Sequence, residues 1–163
     1  MAKLLRKVKR QNRWFKAGAQ PLLDIGDVPA DPLGDLTTSE NKLSVYRVDG
    51  DVPEIERIAR ALALSGQHLD NVGYVIFDAS LLEQLSVGLD PIDGKTDDNV
   101  VNKWHVDLTN LTGTKLVALT RLILLEGISD IILKKRIVEL VEQGLSSNEL
   151  PEKVRAKLPK SHS

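Results

Sequence analysis

Two His-x-Asp pairs, His68-Leu69-Asp70 and His105-Val106-Asp107, are the chain's most direct offer of acid–base chemistry. A carboxylate beside an imidazole can orient the ring and face its charge during proton transfer. His105 and Asp107 lie in "VVNKWHVDL", read as a strand over residues 103–108, where side chains two apart share a side. Asp78 ends the apolar segment "NVGYVIFD". Parallel sheets place ligand crevices at such strand ends, although an aspartate there also caps the helix that follows. Metal-assisted chemistry needs at least three converging ligands, for example both histidines with Asp78 or Asp107. Nothing in the spacing brings them together, so neither a metal site nor a cofactor is expected.

Three further motifs carry less. Asp93-Gly94-Lys95-Thr96 resembles the end of a phosphate-binding loop, but the glycine that motif needs at position 89 is Leu89. Asp90, Asp93, Asp97 and Asp98 form an acidic loop without the alternating spacing of a calcium loop. No Gly-x-Ser-x-Gly elbow is present.

The least ordinary segment is "LLRKVKRQNRWF". Residues 1–16 hold seven basic side chains and no acidic one, whereas the remainder holds 15 basic against 23 acidic. Leu4, Val8 and Phe15 recur at helical spacing with Leu5 beside them, which predicts an amphipathic basic arm. Arg6, Lys7, Lys9, Arg10, Arg13 and Lys16 would neutralise phosphates, while Trp14 or Phe15 would stack on an unpaired base. The apolar stripe is thin for a membrane-surface helix, so a lipid target is not favoured. Another target for the arm is the acidic loop of its own chain.

These groups must be positioned by the rest of the chain. "DIGDVPADPLGD" is rich in Pro and Gly but carries Leu and Ile, which predicts a strap that docks on the body. "LSVYRV", "NVGYVIFD" and residues 103–108 read as strands, with helices over residues 51–64 and after Asp78. "NLTGTKLVALTRLILLEG" is a helix apolar over most of its girth, capped by Thr112 and stopped by Gly127. Residues 128–143 read as a helix with two apolar surfaces: Leu133, Ile137, Leu140 and Val141 on one, Ile128 and Ile132 on the other. Strands alternating with helices predict an α/β fold: a small, mostly parallel three-stranded sheet with flanking helices, a helical C-terminal part and the basic helical arm. The expected divisions are 1–20 for the arm, 21–42 for the strap, 43–110 for the α/β core and 111–163 for the C-terminal helices.

The favoured function is a non-enzymatic accessory or adaptor subunit. It would assemble with a protein partner through Ile128, Ile132, Leu133, Ile137, Leu140 and Val141, and touch DNA, RNA or an acidic partner surface through the arm. One alternative is a small metal- or acid–base-dependent hydrolase using His105 and Asp107, with His68 or Asp78. Another is a self-associating nucleic-acid-binding protein. The chain has no cysteine and no apolar run of the ~20 residues a membrane helix requires, which predicts a cytoplasmic protein without a transmembrane segment.

Overall fold

The computed structural model describes residues 2–15 and 19–160. Its centre is a six-stranded sheet of β1 (Lys3–Val8), β2 (Leu43–Val48), β3 (Val72–Asp78), β4 (Gly88–Asp90), β5 (His105–Thr109) and β6 (Ile128–Ile132), in the order β4-β5-β2-β1-β3-β6. Every neighbouring pair is antiparallel. The expected three-stranded, mostly parallel sheet is therefore incorrect, and the reason is specific. Helix α3 (Val52–Leu64) does carry the chain from β2 to a parallel β3. β1 then lies between these two strands and runs against both, a split βαβ arrangement.

The expected helical arm is thus the central strand. Leu4 and Val8 are four apart, a spacing that satisfies a helical face and a strand face alike. Leu5 breaks the ambiguity, because it is buried on the opposite side of the sheet from Leu4. Helix propensity distinguishes ordinary residues by at most about 0.7 kcal/mol each. Burying a large apolar side chain contributes about 1.5–3 kcal/mol, so burial of Leu4, Leu5 and Val8 between two strands outweighs it.

Helices α1 (Gln20–Asp24), α2 (Ala30–Asp35) and α5 (Gly113–Glu126) lie on one face. There Leu23, Leu36, Leu119 and Ile123 pack with Leu4, Val45 and Phe77. The strap accordingly docks, through Leu23, Val28 and Leu36. The other face carries α3, α4 (Asn99–Trp104) and α6 (Lys134–Ser146), where Ile58 of α3 packs with Leu5, Tyr46 and Ile76 of the sheet. Thr112 caps α5 as expected: its side chain accepts from the Lys115 amide at 3.2 Å.

The expected two-faced helix over 128–143 is a strand followed by a helix. Ile128 and Ile132 pair with Ile76 and Val72 in the sheet, and α6 starts only after Leu133. α6 runs past Gly144 to Ser146. A Cβ there would stand 2.5 Å from Arg60 Nη1 and 2.7 Å from Leu150 Cδ1, so this glycine lets a guanidinium lie against the helix. No helix among the described residues is long and apolar enough to cross a membrane.

Candidate functional site

The β1–β2 ladder covers only Lys3 to Leu5, opposite Val48 to Tyr46. Beyond Leu5 the strands part: β1 continues along β3 to Val8, while β2 continues along β5 to Leu43. The sheet is split at this end. Arg6 bridges the split with its side chain, donating from Nη1 to the Ser44 carbonyl at 2.9 Å and from Nη2 to the Thr37 carbonyl at 3.4 Å. Its Nε is buried and has no hydrogen-bond partner among the described residues.

A cavity of about 460 Å³ opens at the split, lined by Arg6, Lys7, Lys9 and Arg10 from β1 and its following turn, with Asp35 and Tyr46. Among the described residues Lys7 and Lys9 form no ion pair, whereas Arg10 and Arg13 both engage Asp31, at 3.0 and 3.8 Å. Burial holds the Lys7 ammonium below the usual lysine range, and the charges of Lys9 and Arg6 push it further down against a weaker pull from Asp70. Burial likewise lowers the Arg6 guanidinium and raises the Tyr46 phenol. Four cationic side chains against the single carboxylate of Asp35 in the lining make the cleft electropositive.

The expected stacking pair is divided. Trp14 is buried in the core, its Nε1 donating to Asp35 Oδ2 at 3.0 Å, so its ring is not free to meet a base. The Arg10 amide donates to the same Asp35 oxygen at 2.9 Å, which ties the turn after β1 to α2. Phe15 is 38% exposed. Lys16 lies outside the described residues.

A second cavity, of about 530 Å³, adjoins the first, since Ser44, Tyr46 and Leu62 line both. It contains His105 and Asp107, and the structure brings the imidazole to a serine that no sequence motif marks. Ser44 and Asp107 are directly opposite on β2 and β5, and His105 is opposite Tyr46. His105 Nε2 stands 2.5 Å from Ser44 Oγ and 3.6 Å from Asp107 Oδ1. Its Nδ1 stands 2.6 Å from the Ile92 carbonyl. A carbonyl only accepts, so Nδ1 carries the proton and, in the neutral ring, Nε2 accepts from the Ser44 hydroxyl. The Tyr46 ring meets the imidazole edge-on, with centroids 5.3 Å apart.

The loop that resembles a phosphate loop in sequence serves this imidazole. Thr96 donates from its amide and its hydroxyl to Asn102 Oδ1, both at 2.7 Å, and Gly94 donates its amide to the Asn102 carbonyl at 2.8 Å. These bonds fold residues 92–96 over β5 and present the Ile92 carbonyl to the ring.

The other acid–base candidates do not join it. His68 is exposed and lines a separate cavity with Lys134 and Lys157. Asp78 caps the turn Ala79–Leu85, accepting from the Ser80 amide at 3.0 Å. That backbone bond, with the Ser80 hydroxyl, holds its carboxyl below the usual range. Among the described residues no three His, Asp or Glu side chains converge as a metal-binding set.

Among the described residues the acidic loop forms no ion pair with the arm. Asp93 pairs with Lys103, and Asp97 with Lys153 at 2.7 Å. Asp98 is fully buried between Arg57 at 2.7 Å and Arg60 at 2.9 Å. Of the expected partner-binding residues, Ile137, Leu140 and Val141 are buried within the chain's own core, while Ile128 and Leu133 are 60% and 58% exposed. No protein-family model matches this chain, and neither a curated protein nor a solved structure does.

Proposed function

We propose that this protein is an accessory subunit of the cytoplasm that holds nucleic-acid phosphates in the basic cleft between β1 and β2 while another face engages a protein partner. One observation carries the reading: Lys7 and Lys9 line the cleft without an ion-pair partner among the described residues, and burial with the charges of Lys9 and Arg6 holds the Lys7 ammonium below the usual lysine range. Lysines left unpaired in such a cleft lower folding stability, and an incoming phosphate supplies counter-charge. The contact would be to backbone phosphates, because Trp14 is committed to the core. The partner face is supported by Ile128, Ile131 and Leu133, exposed on and beside β6, an edge strand of the sheet.

Deleting the arm would remove the central strand, so point substitutions are the appropriate test. Fluorescence anisotropy with single-stranded and duplex oligonucleotides should show binding that weakens as salt rises from about 50 to about 200 mM. Lys7→Ala with Lys9→Ala should weaken it and flatten the salt slope by about one for each phosphate no longer neutralised. Undiminished binding by the double variant would remove the cleft from the interface.

A further inference from the structure

The geometry points to a second capability at the junction of the two cavities: Ser44 and His105 form a nucleophile–base couple for hydrolysing a carboxylic ester that carries an anionic group. This goes beyond the binding proposal and does not depend on it.

The parts of the couple are held from three directions. Ser44 is fixed by its place on β2, where it faces Asp107 of β5. His105 begins β5 and is clasped between Ser44 Oγ at 2.5 Å and the Ile92 carbonyl at 2.6 Å. The carbonyl selects the tautomer, leaving Nε2 as the proton acceptor, a task given to a carboxylate in other serine-based sites. Asp107 Oδ1, 3.6 Å from Nε2, faces the positive charge that the ring acquires when it takes the serine proton. A buried Ser–His contact confined to the core would need no opening. Here Ser44 and His105 both line the second cavity, and Ser44 borders the cationic cavity as well. Arg6 Nη1, 2.9 Å from the Ser44 carbonyl oxygen, brings positive charge to the backbone of the nucleophile's own residue. That charge favours an anionic substrate and the negative oxygen of a tetrahedral adduct.

The reaction balances with water alone. Ser44 Oγ bonds to the ester carbonyl carbon as its proton passes to His105 Nε2. The C–O bond to the alcohol breaks, and the leaving oxygen takes that proton. Water then attacks the acyl-serine, giving a proton to Nε2. The acid departs and Oγ recovers the proton. Ester and water become acid and alcohol.

The test is labelling of the full chain with a rhodamine fluorophosphonate, in which Oγ bonds to phosphorus and fluoride leaves. Native protein should label, heat-denatured protein should not, and the adduct should map to Ser44. Trypsin releases Ser44 in the peptide Leu43–Arg47, which also contains Tyr46, so fragmentation must place the adduct on the serine. Ser44→Ala should abolish labelling. His105→Gln should slow it by about 100-fold or more, the range of a general base. Both variants are to be compared with the wild type by circular dichroism. Absence of label on the native protein, an adduct on Tyr46, or equal labelling after denaturation would overturn the couple without any variant having to fold. Among substrates, the singly anionic 4-nitrophenyl succinate should be cleaved with a higher kcat/KM than neutral 4-nitrophenyl acetate, and Lys7→Ala should erase that preference. Equal cleavage by the native protein would overturn the anionic class.

Discussion

Two groups of cations flank α3, and they are treated in opposite ways. On one side Arg57 and Arg60 enclose Asp98: Arg57 Nε is 2.7 Å and Arg60 Nη2 2.9 Å from the same carboxylate oxygen, and Glu149 accepts from Arg60 at 2.9 Å. Asp98 also caps α4, accepting from the amides of Val100 and Val101 at 3.0 and 3.3 Å. On the other side, near Leu62, Arg6, Lys7 and Lys9 meet an open cavity. Leu62 and Arg60 are about 200° apart around the helix, so the two environments do not share a wall. The contrast separates structural charge from charge kept for a ligand. Buried charges that hold a fold together bring their counter-ions with them. Lys7 has no ion-pair partner among the described residues, only a weak pull from Asp70, and it is half-buried.

The largest effect should come from breaking the closed side. Asp98→Asn leaves Arg60 buried beside a neutral amide and weakens the cap of α4, and should cost about 3–5 kcal/mol in urea denaturation. Gly144→Ala presses a methyl group toward the same guanidinium and should also destabilise, by about 1–3 kcal/mol. Should Asp98→Asn be tolerated within about 0.5 kcal/mol, the network would be peripheral rather than structural.

Acid should act on the same side more gently. Burial pushes the Asp98 carboxyl upward, but the Arg57 and Arg60 hydrogen bonds and the Val101 amide outweigh it and hold the group below the usual range. A carboxyl with a lowered folded pKa contributes stability that is present above its unfolded value near 3.8 and is lost as pH falls through the lower folded value. Glu56, lowered by its hydrogen bonds from Arg136 despite some burial, adds in the same direction. Stability measured by denaturant titration should therefore fall in strong acid, and the part due to Asp98 should be missing from Asp98→Asn.

How far this contrast is legible in the sequence depends on which periods the residues satisfy. β2, α3, β3 and α5 are legible because "LSVYRV" and "YVIF" are β-rich runs and because Asp51 and Thr112 cap their helices. β1 and β6 are not. Leu4 and Val8, like Ile128 and Ile132, are four apart and fit either period, and Ser129 imitates a helix cap. Only pairing with β3 decides both cases, and that joins residues as distant as Val75 and Arg6 or Ile76 and Ile128. At the site, His105 and Asp107 are visible as a same-side pair on a strand. Ser44 is not, because the serine in "LSVYR" carries no elbow motif and meets His105 only through the β2–β5 register. The basic run announces its charge but not its place, since a central strand with Lys and Arg contradicts ordinary strand composition.

The smallest predicted effect on stability is the most discriminating for the open side. Lys7→Met keeps an unbranched side chain of similar length and removes the ammonium that burial, Lys9 and Arg6 all disfavour. Because this site is partly solvated and screened, the gain should be modest, about 0.5 kcal/mol, or a Tm about 1–2 °C higher. The same substitution should weaken oligonucleotide binding. Stability and affinity moving in opposite directions is the signature of a charge retained for a ligand. If Lys7→Met instead lowers Tm with binding intact, Lys7 belongs with Arg57 and Arg60 as part of the scaffold, and the two sides of α3 differ only in depth.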